Sequence, residues 1–172
     1  MKKYAIGIVV LALSAMAMVV LAQGGKGKAV KSSMAQTNAA AHVLLTPGDF
    51  KWGPSPPVLP AGAQMALLDG DPGKAGSAYT LRVKIPDGYK IPPHWHPRDE
   101  TITVIEGTFA MGLGDKFDEA AGHELVAGSY ARMPKGVRHF AWAKGESIIQ
   151  VQGTGPFEIT YVNPADDPRR TK

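Results

Sequence analysis

The chain has 172 residues, 44% of them hydrophobic, with 19 Lys and Arg against 15 Asp and Glu and no cysteine. That length builds one domain with a real core, and the missing thiols exclude disulfide stapling and lipid attachment through cysteine. The net charge of +4 comes from Lys2, Lys3, Lys26, Lys28 and Lys31; from Ala41 onward 14 basic side chains meet 15 acidic ones, so no basic face for nucleic acid is indicated.

Lys2 and Lys3 precede an uncharged apolar run from Ala5 to Leu21, and Val20-Leu21-Ala22 offers small or β-branched residues for cleavage. This predicts a signal peptide over residues 1–22, cut after Ala22, and a periplasmic or secreted protein that meets the membrane only through that segment. The run is near the lower limit for spanning a bilayer, so an uncleaved anchor is the alternative. Residues 23–40 are rich in Gly, Ala, Ser and Lys without hydrophobic period and read as a flexible linker. The folded domain is expected over 41–163, starting with a proline-rich arm, and 164–172 as a loose polar tail.

Ala41 to Leu45 reads as a short strand before a turn at Thr46-Pro47-Gly48-Asp49, with His42 an ordinary surface histidine. Four prolines between Lys51 and Gly62 require an extended arm, which Trp52 anchors. Gln64 to Leu68 is a strand, and Asp69 to Gly76 a turn whose acidic pair lacks the distal glutamate of a calcium loop. Ala78 to Ile85 alternates, with Tyr79, Leu81, Val83 and Ile85 on one face. Thr101 to Ile105 is β-rich, Glu106-Gly107 a turn, and Phe109, Met111 and Leu113 the next strand. A polar loop from Gly114 to Gly122 precedes His123, which has no second histidine at helical spacing and reads as solvated. Val137 to Trp142 is a strand, Ala143 to Glu146 a turn, and Ser147 to Val151 and Pro156 to Val162 the closing strands. Short strands punctuated by Gly and Pro, with no amphipathic helix, indicate an all-β sandwich or barrel.

The chemistry lies in GYKIPPHWHPRDETITVIEG, from Gly88 to Gly107. His94 and His96 stand two apart, so on a strand they point to one face about 6.5–7 Å apart and can lean onto one ion at roughly 2.0–2.1 Å from each nitrogen if it is zinc. Pro97-Arg98-Asp99 turns the chain so that Glu100 can reach the same point, and His139 follows in GSYARMPKGVRHFAWA. Three imidazoles and one carboxylate converging inside a β structure make a metal site.

Both stretches resemble the paired motifs of the cupin superfamily. Gly88, His94, His96, Glu100 and Gly107 fill every fixed position of G-x5-H-x-H-x3,4-E-x6-G. Gly128, Pro134, Gly136 and His139 match G-x5-P-x-G-x2-H-x3-N, with Ala143 where the family has asparagine. The resemblance covers about Gln64 to Val162 and implies a double-stranded β-helix, a jelly-roll barrel. It further implies one divalent transition metal ion (Fe, Mn, Ni, Cu or Zn) on His94, His96, Glu100 and His139, with Glu100 the candidate catalytic group. Dioxygenase, oxalate-degrading and isomerase activities all occur with this ligand set, so the expected function is a metal-dependent enzyme, dioxygenase-like or related, acting on a small organic molecule. The alternative is a non-catalytic periplasmic module that binds metal and a small ligand or senses it. A homodimer is compatible with either reading. Tyr79, Met111, Tyr130, Phe140, Trp142, Phe157 and Tyr161 are the candidates for pocket walls, and Arg98 and Arg132 for holding a carboxylate.

Overall fold

A computed structural model describes residues 42–170; the expected signal peptide over 1–22 and linker over 23–40 lie outside them. Nine antiparallel strands run in chain order: β1 Gly53–Pro54, β2 Gln64–Gly70, β3 Ala78–Ile85, β4 Lys90–Trp95, β5 Glu100–Leu113, β6 His123–Val126, β7 Tyr130–Met133, β8 His139–Thr154 and β9 Thr160–Tyr161. The helical pieces among the described residues are three single turns of 3-10 type, at Pro47–Asp49, Glu119–Ala121 and Pro164–Asp166.

The long strands β5 and β8 form a bent pair that belongs to both walls of the jelly roll. In one wall, β8 from Ser147 to Thr154 pairs with β3, and β5 from Glu100 to Thr103 pairs with β7. In the other, β8 from His139 to Trp142 pairs with β4, and β5 from Thr108 to Met111 pairs with β6. The bend falls at two register shifts in β5, between Val104 and Thr108. There Gly107 has φ +74°, and a Cβ on it would stand 2.3 Å from the Glu146 carbonyl oxygen, so only glycine lets the strands stay paired through the corner. Ser147, fully buried beside it, donates its hydroxyl to the Thr108 carbonyl at 2.9 Å.

This corner corrects the sequence reading. Glu106-Gly107 and Ala143 to Glu146 are not turns between separate strands; each lies within one continuous strand of 14 or 16 residues. The sequence signal is the same, because a bulge needs the residues a turn needs. Ile102 and Val104 face inward before the bulge and Phe109 and Met111 after it, so the alternation changes parity there. Leu113, at the far end of β5, is exposed. A second correction concerns Ala41 to Leu45: of these, the described residues 42–45 form no strand and are exposed. The β3 reading holds from end to end, with Tyr79, Leu81, Val83 and Ile85 all buried.

The proline-rich arm crosses the sheet edge by pairing Gly53 with Met65. It is pinned where Lys84 Nζ lies 5.1 Å from the centre of the Trp52 ring. The core fills the space between the two walls. A smaller cluster of Ala110, Phe140 and Trp142 lies apart from it, covered by Phe117 of the 114–122 loop. Gly112 makes room for Phe140, whose ring would sit 2.2 Å from any Cβ there. Thus Phe140 and Trp142 are not walls of the barrel interior, and Tyr130 is exposed. After Val162, Asn163 caps the last 3-10 turn, and Arg169 donates to the Ile159 carbonyl at 3.2 Å.

Candidate metal centre

The bent pair explains how residues far apart in sequence meet. Glu100 opens β5 in one wall, while His139 opens β8 in the other, directly across from its register partner His94 on β4. His96 stands just beyond β4, in the link that carries the chain from one wall to the other. All four are buried, at 1–7% exposure. Glu100 Oε2 lies 3.4 Å from His96 Nε2 and 3.8 Å from His139 Nε2. One nitrogen from each of the three histidines falls within 4.8 Å of the others, a spacing that could hold a metal ion.

The imidazoles are held by main-chain oxygens. His94 Nδ1 is 2.7 Å from the Pro92 carbonyl, His139 Nδ1 is 3.0 Å from that of Val137, and His96 Nδ1 is 2.8 Å from that of Glu158. A carbonyl only accepts, so each Nδ1 carries a proton, and each ring in its neutral form turns the Nε2 lone pair inward. This is the outer support that ligating histidines require. His96 Nε2 tests the fit most sharply: it is buried and has no hydrogen-bond partner. An orphaned lone pair in a dry site is costly, and a cation beside it removes that cost. The residues present therefore fit an ion.

Charge follows the same pattern. Burial, then the neighbouring His139 and His96, push the His94 pKa down to about 3, and burial also lowers His139. Burial acts to lower His96 too, but the Glu100 carboxylate and the Glu158 carbonyl outweigh it and leave it above its ordinary value. Burial alone would raise the Glu100 carboxyl, yet His96 beside it holds it below the usual carboxylate range.

The second motif steadies the first through its backbone. Gly136 N–H donates to the His96 carbonyl at 2.8 Å, and Lys135 N–H to Asp99 Oδ1 at 2.9 Å. Arg132 closes on Asp99 Oδ2 at 2.5 Å, so it braces the turn between His96 and Glu100 and is not free to hold a carboxylate. Arg98 reaches the Pro156 carbonyl and the Glu158 carboxylate in a second, outer cleft that His96 and Glu100 also line. Ala143 occupies the asparagine position without a side-chain amide; its own N–H donates to the Tyr89 carbonyl and its carbonyl accepts from Gly88, joining the two motifs by main chain. Sequence reasoning did not identify Pro92, Val137 and Glu158, because they act through carbonyls that any residue carries. Phe157, a candidate wall from the sequence, also touches the site: its ring stacks on His96 at 6.0 Å and 25°.

Inside the barrel, His94, Glu100 and His139 form one end of a chamber of ≈ 40 Å³. Met111 and Phe157, both expected as walls, do line it; Tyr161 is buried 6.0 Å from the His94 ring, with its hydroxyl on the Val58 carbonyl.

Solved structures share this architecture. The polyketide cyclase RemF from Streptomyces resistomycificus is 19% identical with a TM-score of 0.58, over 74% of this chain and 90% of that one. A candidate acetylacetone dioxygenase from Methylibium petroleiphilum PM1 is 21% identical with a TM-score of 0.57, over 74% of this chain and 85% of that one. At such identities the likeness is one of fold, the cupin jelly roll. Among curated relatives, germin-like protein 9-3 of Oryza sativa subsp. japonica is 34% identical over 55 residues, 31% of this chain and 26% of that protein. The chain thus spans only 26% of the length of the curated relatives it matches. The ChrR cupin-like domain matches residues 40–158, which take in both histidine-bearing stretches and all four buried site residues, and the chain belongs to that family of cupins.

Proposed function

We propose that the protein is an exported, mononuclear metal-dependent enzyme, dioxygenase-like or related, acting on a small organic molecule. One observation carries this reading: each imidazole is locked at Nδ1 by a carbonyl, so three Nε2 atoms gather at one buried point, with the Glu100 carboxylate beside those of His96 and His139. His94, His96 and His139 would hold the ion, with Glu100 as the fourth ligand. A divalent Fe, Mn, Ni, Cu or Zn ion would supply Lewis acidity there, and a redox-active one electrons for dioxygen.

The chain's own residues supply the rest. The carbonyl clamps fix the tautomer and orientation of the imidazoles before any ligand arrives, so little reorganisation is needed at the moment of reaction. Glu100 lines the chamber as well as facing the histidines. Its carboxylate could therefore take a proton from a small molecule lying in the chamber and return it. The apolar walls keep bulk water away from that exchange.

Metal analysis of protein taken from its natural compartment, followed by an oxygen-uptake screen over small organic compounds, tests the reading. The expected result is about one transition metal ion per chain, as a single four-ligand site holds, and metal-dependent uptake with at least one compound. Metal-loaded protein that turns nothing over would favour the binding or sensor module instead. Protein isolated without any metal would remove both readings. Intact mass of the exported form should show Gln23 as first residue; Met1 retained on membranes would make it an anchored protein.

A further inference from the structure

We propose that the site takes a small monofunctional molecule, with one oxygen-bearing end at the metal centre and a short hydrocarbon body lying in the barrel chamber. The inference rests on the metal reading for the oxygen end and on the chamber for the rest.

The polar side-chain atoms that open onto the chamber lie at one end, on His94, Glu100 and His139. The one hydroxyl in the walls, that of Tyr89, is turned away to the Pro60 carbonyl. Everything else in the lining is aliphatic, thioether or phenyl, with no Lys, Arg, Asn, Gln, Ser or Thr side chain. A second polar group on the ligand would therefore be buried without a partner, at a cost of about 1–3 kcal/mol for a hydroxyl and far more for a charge. The two arginines nearest the site do not relieve this. Arg132 is held by Asp99, and Arg98 lies in the outer cleft against Glu158.

Size narrows the class further. The chamber's ≈ 40 Å³ is well below the roughly 150 Å³ of an apolar cavity that admits benzene. The hydrocarbon body is thus shorter than an aromatic ring, a chain of a few carbons. It begins beside His139 and Glu100. Ala141 follows His139 by two on β8, and Ile102 follows Glu100 by two on β5, so both point into the chamber next to the ligand they accompany.

Butyrate and 3-hydroxypropionate have the same carboxylate and number of heavy atoms but differ in a terminal methyl or hydroxyl, so they isolate the chamber. Acetate reports the oxygen end alone. Dissociation constants for the three are measured by ligand-observed NMR on the zinc-loaded protein, with zinc content determined on the same samples. The expected result is that butyrate binds at least about tenfold tighter than 3-hydroxypropionate. Ala141→Leu, which fills the chamber, should abolish that advantage while zinc content stays that of the wild type. Should that variant fail to fold, Ile102→Phe fills the same space from the opposite wall. Equal binding of the two probes to the wild type overturns the proposal, as does a filled chamber that still prefers butyrate. Zinc bound with no preference overturns this inference alone. Failure to take up zinc overturns the metal reading, and the same pair measured on the metal-free protein then decides the chamber.

Discussion

The two ends of the barrel interior are equally buried and are built on the same strands, yet they are held together by different physics. On β5, Glu100 at 7% exposure is followed on the same face by Ile102 at 4%; on β8, His139 at 1% is followed by Ala141 at 2%. At the polar end each imidazole has a named main-chain acceptor, two of them only two residues away in sequence. In the chamber the side chains have no directional partner and hold by close packing. Directional support is local and survives the loss of one member, whereas packing is shared and does not. The metal end should therefore be separable from the fold, and the chamber walls should not.

The largest effect is expected from the walls. Phe109 is among the largest fully buried side chains and lines the chamber. Phe109→Ala should cost about 3–5 kcal/mol of stability, measured by urea unfolding of the metal-free protein. Next comes the polar end. His139→Ala should lower metal affinity by more than about 100-fold, beyond what loss of a supporting contact does, while the circular dichroism still shows a cooperative β-type transition. If His139→Ala unfolds and Phe109→Ala does not, the comparison is inverted and the ion is part of the core.

The same contrast explains what the sequence could and could not disclose. Side-chain identity was legible: the four site residues stand at fixed spacings, and Tyr79, Leu81, Val83 and Ile85 announce a half-buried strand by alternation alone. Main-chain roles were not legible. Nothing in the letters Pro92, Val137 or Glu158 says that their carbonyls orient the histidines. The corner at Gly107 was seen as a glycine but read as a turn, because turn and bulge both require a positive φ and only tertiary pairing distinguishes them. Phe140 and Trp142 misled for a similar reason. They alternate with His139, Ala141 and Ala143 on β8, so the histidine's face excludes them from the chamber, and Phe117 then covers them from outside.

Glu100→Gln gives an intermediate effect and tests whether the polar end does more than hold an ion. The substitution keeps shape and removes the one negative charge among neutral imidazoles. Metal affinity should fall by about tenfold, the lower range for a weakened support, because three nitrogens remain. Turnover, once a substrate is in hand, should fall further than occupancy. Equal turnover at equal metal content would leave Glu100 as a ligand with no catalytic part.

The smallest effect, and the finest test of the polar end, is the order in which its histidines take protons in the metal-free protein. His94 is held near 3 by burial and its two imidazole neighbours, so its neutral form is favoured in the fold. Its contribution to stability is present above the ordinary 6.5 and is lost as pH falls from there toward about 3. His96 is raised above 6.5 by Glu100, so its contribution runs the other way, full below 6.5 and lost as pH rises through its folded value. The two windows meet at 6.5, so the stability contributed by these rings should be greatest there, falling below it through His94 and His139 and above it through His96. The individual rings still separate. Nitrogen-15 NMR should show His96 protonating first, above 6.5, while His94 and His139 take protons only below 6.5, His94 as pH approaches about 3. Zinc should abolish the His96 titration by taking its Nε2 lone pair, and acid should return it as the ion leaves. If His94 takes the first proton, burial is not holding its ring neutral and the closed, dry geometry of the polar end is wrong.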